Sequence, residues 1–424
     1  MFIGIVADDL TGAADAVAPF AQRGYLAGMG LSVSSSAQNP SQDWDVLALN
    51  TELRDRMHLK PTLVASIARR ATRRLIARAP QVYFKKIDST LRGHLRLELD
   101  GMLRELPGRI ALICPASPAH GRTVENGILS VDGIPLVQTG FVQGTAQSEK
   151  LATVRSAFGM AEEPTAEEIT LSVLREGIAN VEAELDRHIA NGICTFFCDA
   201  VTLDDLRTLA QVVLRRPDRY LAVGSAGFTR AIAESVPTRT TAAAPIWDVA
   251  PFTHGRVLVI VGSMHPISRL QAHRILGEGG IEPIVLNQAD GAEEPEGAQV
   301  FRERFQAGNR LFVMITPEEM KAKGRHYPIE RLLWDMAIWA DLPVTVSPFD
   351  GYVVSGGHTA QKVCEAWHGH TLEIFGESEP GIVRALLLRY RALPNIPIIL
   401  KAGGFGDERT LARCLGLEQG ADAS

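Results

Sequence analysis

The stretch Phe2-Ile3-Gly4-Ile5-Val6-Ala7-Asp8-Asp9-Leu10-Thr11-Gly12-Ala13-Ala14-Asp15 decides the fold. An apolar run stops at two adjacent carboxylates, and a helical pattern begins after Thr11-Gly12. In an open α/β sheet the ligand crevice lies beyond the carboxyl ends of the strands, and Asp8 and Asp9 fall there. A lone Asp after a strand is ordinarily a helix cap, and Asp9 or Thr11 can serve as one. A pair of carboxylates, echoed by polar clusters at later strand ends, favours a functional role. Adjacent strand residues point to opposite faces, so the pair leaves open which of the two meets a ligand. Pro19 falls inside the helical pattern, where it would kink or shorten the helix.

At 424 residues the chain exceeds one ordinary core, and two domains are expected. Apolar residues make up 46% and charged residues 22%, the balance of an ordinary globular protein. The net charge of −6 argues against a broad basic face for nucleic acid but leaves room for a local basic pocket. Five scattered cysteines form no disulfide framework, which indicates a reducing compartment. Cys194 and Cys198 flank an apolar strand-like stretch and would share one face, so buried free thiols are favoured over a metal site. The chain opens directly into a strand, with no basic leader, and no apolar run reaches membrane-spanning length; a cytoplasmic protein is expected.

In the first half, apolar runs at residues 2–7, 45–50, 82–87, 110–115, 194–199 and 220–225 read as strands. Helical patterns such as 61–79 and 166–190 lie between them. Short apolar strands alternating with helices predict a mainly parallel sheet covered on both faces. Residues 237–256 lose periodicity and gather Pro, Thr and Ala, which reads as a linker. A second α/β series follows, with strands at 257–261, 283–286, 311–315, 351–355 and 396–401, and an exposed Glu/Gly-rich loop at 291–297. The fold class is α/β with two domains, 1–240 and 255–424, each a mainly parallel sheet flanked by helices, with the active site expected in the interdomain crevice.

The strand at 82–87 ends in Lys85-Lys86-Ile87-Asp88-Ser89-Thr90-Leu91-Arg92-Gly93-His94. Lysine and arginine at a strand's carboxyl end can hold a carboxylate, arginine by a bidentate fork, and Asp88 and Ser89 can fix sugar hydroxyls. The plainer reading is a turn in which Asp88 caps a helix and Arg92 pairs with a neighbour; the two readings weigh evenly. Cys114-Pro115-Ala116-Ser117-Pro118-Ala119-His120-Gly121-Arg122-Thr123 delivers another hydroxyl, His and Arg, of which Arg122 is the better ligand and His120 the more ordinary loop residue. Val223-Gly224-Ser225-Ala226-Gly227-Phe228 offers small residues that let a ligand approach the backbone. Acids, cations and hydroxyls together suit a polyhydroxy carboxylate.

Three strand ends of the second half carry glycine or small polar residues: Val261-Gly262-Ser263-Met264-His265-Pro266, Ser355-Gly356-Gly357-His358-Thr359 and Lys401-Ala402-Gly403-Gly404-Phe405-Gly406-Asp407. Glycine between strand and helix exposes backbone N–H groups that suit phosphates. Each turn alone is an ordinary strand–helix connection; three in one domain favour a phosphate site. Neither a Walker A motif nor the dinucleotide fingerprint occurs.

The stretches ADDLTGAAD (7–15), KKIDSTLRG (85–93), CPASPAHGRT (114–123), VGSAGF (223–228), VGSMHP (261–266), SGGHT (355–359) and LKAGGFG (400–406) resemble the four-carbon acid sugar kinase family, in order over nearly the whole chain. The resemblance implies an N-terminal sugar-acid-binding domain and a C-terminal nucleotide-binding domain. It implies transfer of the ATP γ-phosphoryl group to the terminal hydroxyl of an acid such as threonate, erythronate or 3-oxo-tetronate, with Mg²⁺ on the nucleotide. Carried across by motif, Ser263, Gly356, Gly357, His358, Thr359, Gly403 and Gly404 look like ATP contacts. Asp8, Asp9, Lys85 and Arg92 look like the catalytic group, and Asp88, Ser89, Arg122 and Ser225 the substrate side, with no protein metal site. The sequence departs from the family pattern at His358, where an acid is commoner, at Lys401-Ala402-Gly403-Gly404, which replaces Lys-Ser-Gly-Asn, and at two missing prolines, after Pro135-Leu136 and after Ile382. These departures leave a branched acid such as 3-oxo-isoapionate open. A small acid is the expected partner, without nucleic acid or membrane, and a homodimer is left open.

Phosphoryl transfer chiefly needs positioning and charge neutralisation. Asp8 or Asp9 would orient and deprotonate the hydroxyl; Lys85, Arg92 and Arg122 would hold the carboxylate or offset charge on the γ-phosphoryl. Closure about the 237–256 linker would exclude water. The rivals are a nicotinamide-dependent oxidoreductase, disfavoured by the missing fingerprint, and a sensor that binds without turnover.

Overall fold

The computed structural model describes residues 1–33, 43–139, 151–239, 250–279, 297–315, 329–390 and 393–417. The chain divides into two compact units, the first built chiefly from residues up to Ala242 and the second from Ala243 onward.

Among the described residues of the first unit, eight strands form one parallel sheet: β1 (Ile3–Ala7), β2 (Ala27–Gly30), β3 (Val46–Asn50), β4 (Val82–Lys86), β5 (Ile110–Cys114), β9 (Ala166–Ile169), β10 (Thr195–Cys198) and β11 (Tyr220–Gly224). Their order is β2-β3-β1-β4-β11-β5-β10-β9. Every residue of β1, β3, β4, β5 and β11 is buried, as expected of strands covered by helices on both faces. The chain leaves β1 toward β3 on one side and later returns to β4 on the other, so β1 and β4 flank a topological switch point. Ala7 is level with Asn50 and with Lys86, and Lys86 with Gly224. The polar residues that follow these four strands therefore emerge side by side. A small antiparallel sheet, β6 (Arg122–Glu125), β7 (Ile128–Val131) and β8 (Ile134–Pro135), completes the unit.

The second unit repeats the device. Strands β12 (Val257–Val261), β13 (Leu311–Ile315), β14 (Gly351–Ser355) and β17 (Ile396–Lys401) pair in parallel in the order β13-β12-β14-β17, placing the switch point between β12 and β14. Val261 is level with Ser355, and Ser355 with Lys401, so the three glycine turns also start side by side. An antiparallel hairpin, β15 (Gly369–Glu379) and β16 (Ile382–Arg389), adds to the sheet beside β17. Val257, Val259, Val261, Val353 and Ile399 from the strands pack with Leu411 and Leu415 in the core.

Several expectations need correction. Residues 166–190 are not one helix: Ala166–Ile169 pairs as the edge strand β9, and two helices, Leu171–Arg175 and Ile178–Ala190, are separated by Gly177 at φ +103°. The left-handed glycine interrupts the run that periodicity alone joins. Cys198 is buried in β10, but Cys194 is exposed, because the strand begins only at Thr195. Pro19 does not shorten its helix, which runs Leu10–Ala21 with the proline in the last turn. The strand expected at 283–286 and most of the loop at 291–297 lie outside the described residues, as do residues 240–249 of the expected linker. Among the described residues no helix is long and apolar enough to cross a membrane.

Candidate functional site

At the carboxyl end of β1, Asp9 caps the helix Leu10–Ala21: its Oδ1 accepts from Gly12 N at 3.0 Å and its Oδ2 from Thr11 Oγ1 at 2.7 Å. An aspartate cap contributes about 1 kcal/mol, so the capping reading of Asp9 holds. Asp8 is buried and faces a partner that sequence reasoning missed, Arg54. The Arg54 guanidinium forks onto Asp8 (Nε–Oδ2 3.1 Å, Nη2–Oδ1 2.8 Å), reaches Asp9 Oδ1 at 2.7 Å and lies 3.6 Å from Asp88 Oδ1. Its backbone N–H also donates to Asp8 O, and Thr51 donates to Ala7 O, so the loop after β3 is stitched to the end of β1. Gly12 is required here: a Cβ would stand 2.3 Å from Asp9 Oδ1 and 3.2 Å from Arg54 Nη2.

Electrostatics follow from this packing. Burial alone would raise the Asp8 carboxyl, but Arg54, Lys85 and Lys86 outweigh it and hold it below the usual carboxylate range. The same balance of burial against Arg54 and Arg92 holds Asp88 far below it. Both stay ionised at neutral pH.

The loop after β4 is organised by Asp88. Arg92 forks onto it (Nε–Oδ2 2.7 Å, Nη2–Oδ1 2.9 Å), and Thr90 N donates to Oδ2 at 3.2 Å. The pairing reading of Arg92 is therefore met, although its side chain remains 62% exposed and able to meet a ligand. Asp88 does not cap the following helix, Leu95–Glu105, whose flanking residue is His94. Leu91 takes φ +61° to close the loop, which costs a branched residue roughly 1 kcal/mol. Ser89 in the same loop is half-buried.

The two lysines of β4 part ways, as alternation requires. Lys85 Nζ lies 3.0 Å from the buried Glu98 Oε2 and donates to Lys86 O. Burial pushes Glu98 up despite this pairing. Lys86 Nζ instead comes within 3.1 Å of where a Gly12 Cβ would be, beside Asp9 and Arg54. Of the pair, Lys86 is the one at the helix turn.

A second cluster follows β5. His120 Nδ1 is 2.7 Å from Ser117 Oγ, and Arg122 donates to His120 O. Burial, then Arg122, Arg230 and Lys86, push His120 down to about 4, so it is neutral at pH 7. Ser225 is buried, donates to Ala116 O at 2.7 Å and accepts from Gly227 N, which makes it a helix cap and a clamp on the β5 loop.

In the second unit the three glycine turns converge. A Cβ on Gly262 would lie 1.9 Å from Thr359 Oγ1, and one on Gly403 would lie 2.3 Å from Ser263 Oγ. Gly356 adopts φ +110°, and its Cβ would stand 3.3 Å from Ser263 N. These close approaches require glycine. Ser263 is thus brought together with Gly356 and Gly403, Thr359 lies against Gly262, and Gly404 lies beside His265, while Gly357 opens the helix Gly357–Ala366 and His358 is exposed. The N–H groups of Gly262 and Ser263 both donate to Ser355 O, and Gly356 N to Lys401 O. Lys401, Ser268 and Ser355, absent from the expected set, form the buried floor: Ser268 Oγ lies 3.0 Å from Ser355 Oγ and 3.1 Å from Lys401 Nζ. Small residues that leave the backbone open to close approach, with a buried cation behind them, suit phosphate oxygens.

Comparison with known proteins agrees with this division. Residues 3–232 match a family model described as a sugar-binding N-terminal domain, and 258–411 one described as a nucleotide-binding C-terminal domain. The chain is 29% identical over 429 residues to a D-threonate kinase of Salmonella typhimurium, covering 97% of each. It is 26% identical over 443 residues to a D-erythronate kinase of Heliobacterium modesticaldum, covering 97% of this chain and 95% of the relative. Its fold is similar to that of a Haemophilus influenzae protein known from a crystal structure, with TM-score 0.73 at 19% identity, covering 98% and 99% of the two chains. With both domains matched in order, and relatives aligned end to end, the chain belongs to the four-carbon acid sugar kinase family.

Proposed function

We propose that this kinase transfers the γ-phosphoryl group of ATP to the terminal hydroxyl of a four-carbon sugar acid, with D-threonate and D-erythronate the first acids to test. The observation that carries the reading is the convergence of Asp8, Asp9 and Asp88 on Arg54 at the carboxyl ends of β1, β3 and β4. Carboxylates fixed in place can orient an alcohol and accept its proton. Asp9, with its side chain 17% exposed against 1% for Asp8, takes the attacking hydroxyl, and Asp8 holds Arg54 in place. Asp88, Ser89 and Ser225 shape the hydroxyl side of the pocket. Arg92 and Arg122, with Lys86, meet the carboxylate, and Lys85 supports them from the Glu98 side of β4.

The nucleotide is held by Ser263, Gly356, Gly357, His358, Thr359, Gly403 and Gly404. Among the described residues no three His, Cys, Asp or Glu side chains gather as a metal site. Mg²⁺ would arrive on the nucleotide phosphates, where it keeps most of its waters and neutralises their charge.

The test is ADP release from Mg·ATP across D-threonate, D-erythronate, 3-oxo-tetronate and 3-oxo-isoapionate, with acid-free controls. ADP formed with one acid above the rest is expected and names the substrate. No acid-dependent ADP with any of them would overturn the proposal.

A further inference from the structure

Lys401 ends β17 completely buried. Its Nζ donates to Ser268 Oγ, Ala402 O and Gly403 O, each at 3.1 Å. Among the described residues no carboxylate pairs with it. A buried ammonium held only by neutral oxygens carries a desolvation penalty that no counter-charge offsets, and burial lowers this lysine to about 8. For stability alone, an apolar side chain would serve better at this position.

The two carbonyls that Lys401 draws inward have a geometric consequence. In a trans peptide the N–H points opposite to the C=O of the same plane. With Ala402 O and Gly403 O turned toward Nζ, the N–H groups of Gly403 and Gly404 are turned away from it. Among the described residues neither N–H has a protein acceptor. Gly403 is half-buried and Gly404 exposed, beside Ser263 and His265. Ser268 fixes the arrangement by donating to Gly403 O at 2.6 Å.

We propose that Lys401 is a positioning residue of the phosphate site: it orients the peptide planes of residues 402–404 so that the Gly403 and Gly404 N–H groups present a paired donor, backed by its charge, to a phosphate oxygen of the nucleotide. This rests on the reading of the second unit as the ATP-binding unit. It predicts an effect on phosphates and not on the nucleoside.

The experiment compares dissociation constants for ATP and for adenosine, the latter by competition, in the full chain and in Lys401→Met and Ser268→Ala. Lys401→Met is expected to weaken ATP at least 10-fold and adenosine less than 2-fold, raising KM for ATP with little change in KM for the acid. Ser268→Ala keeps the charge and loses one anchor, and is expected to weaken ATP 2- to 5-fold with the same selectivity. It decides the matter if Lys401→Met does not fold. Unchanged ATP affinity, or parallel weakening of ATP and adenosine, would overturn the role of Lys401 alone. A wild-type chain that binds no ATP would overturn the nucleotide reading itself.

Discussion

Arg54 and Asp8, 46 positions apart in the chain, meet in a two-point fork, Nε to Oδ2 at 3.1 Å and Nη2 to Oδ1 at 2.8 Å, while the same guanidinium reaches Asp9 and Asp88. One cation therefore holds three carboxylates from the ends of two strands. Burial acts against the Arg54 charge, but Asp8, Asp9 and Asp88 raise its pKa well above its ordinary value, so the cation is permanent.

Arg54→Met should leave those carboxylates facing one another without their shared partner. Breaking a buried pair from one side costs about 3–5 kcal/mol, and urea unfolding of the variant should show a loss of that order. Arg54→Lys keeps the charge but not the fork. It should retain more stability and still lose roughly 100-fold in kcat, as small misplacements of a reacting group do.

Asp9→Asn and Asp9→Ala separate the cap from the chemistry. Asparagine caps a helix about as well as aspartate, whereas alanine loses about 1 kcal/mol. Both should lower turnover by roughly 10²–10⁴, the usual span for removing a general base, with only the alanine variant showing the lost cap in unfolding experiments. Asp8→Asn should lower kcat as well, through Arg54. Near-normal turnover in both Asn variants would remove the base from Asp8 and Asp9 altogether.

The carboxyls of Asp8 and Asp88 are held below their ordinary values, and that of Asp205 is pulled to about 2 by Arg175 and backbone donors against the opposing effect of burial. Each binds fewer protons in the folded than in the unfolded chain, so its stabilisation is complete above the unfolded value of about 4 and is lost as pH falls through the folded value. Glu98, raised by burial, works the other way and offsets part of the effect as pH rises through its folded value. Urea midpoints should therefore fall steadily from pH 5 to pH 3, and Asp8→Asn should flatten that slope.

Four of the five cysteines are wholly or partly buried, and burial pushes Cys114 and Cys414 up to about 12 and raises Cys198 and Cys364 as well. Only Cys194 is exposed. The folded protein should release one equivalent of thionitrobenzoate from DTNB quickly and five after denaturation. Two fast thiols would mean that Cys198 or Cys414 opens readily.

Most of the strand framework was legible in the chain because fully buried parallel strands are short unbroken apolar runs that end at polar clusters. Val257–Val261, Gly351–Ser355 and Ile396–Lys401 agree with their expected bounds to the residue. The hairpin Gly369–Glu379 and Ile382–Arg389 alternates between buried and less buried faces once folded, but its second strand carries the apolar run Ala385-Leu386-Leu387-Leu388, so the chain itself shows only a weak period of two. Ala166–Ile169 is harder, since a four-residue edge strand followed by helix carries too few positions for either period to dominate.

The sequence by itself determined the α/β class, the two glycine-rich and acid-rich sets of strand ends, and the family they belong to. Those properties are local, written in runs of neighbouring residues. Tertiary structure alone decided that Arg54 is the cation shared by Asp8, Asp9 and Asp88, that Glu98 takes Lys85 while Lys86 stands at the helix turn, and that Lys401 with Ser268 forms the floor beneath Gly403. Each of these depends on strand order and register, which bring together side chains far apart in the chain, and on the alternation that sends neighbouring lysines to opposite faces of one sheet.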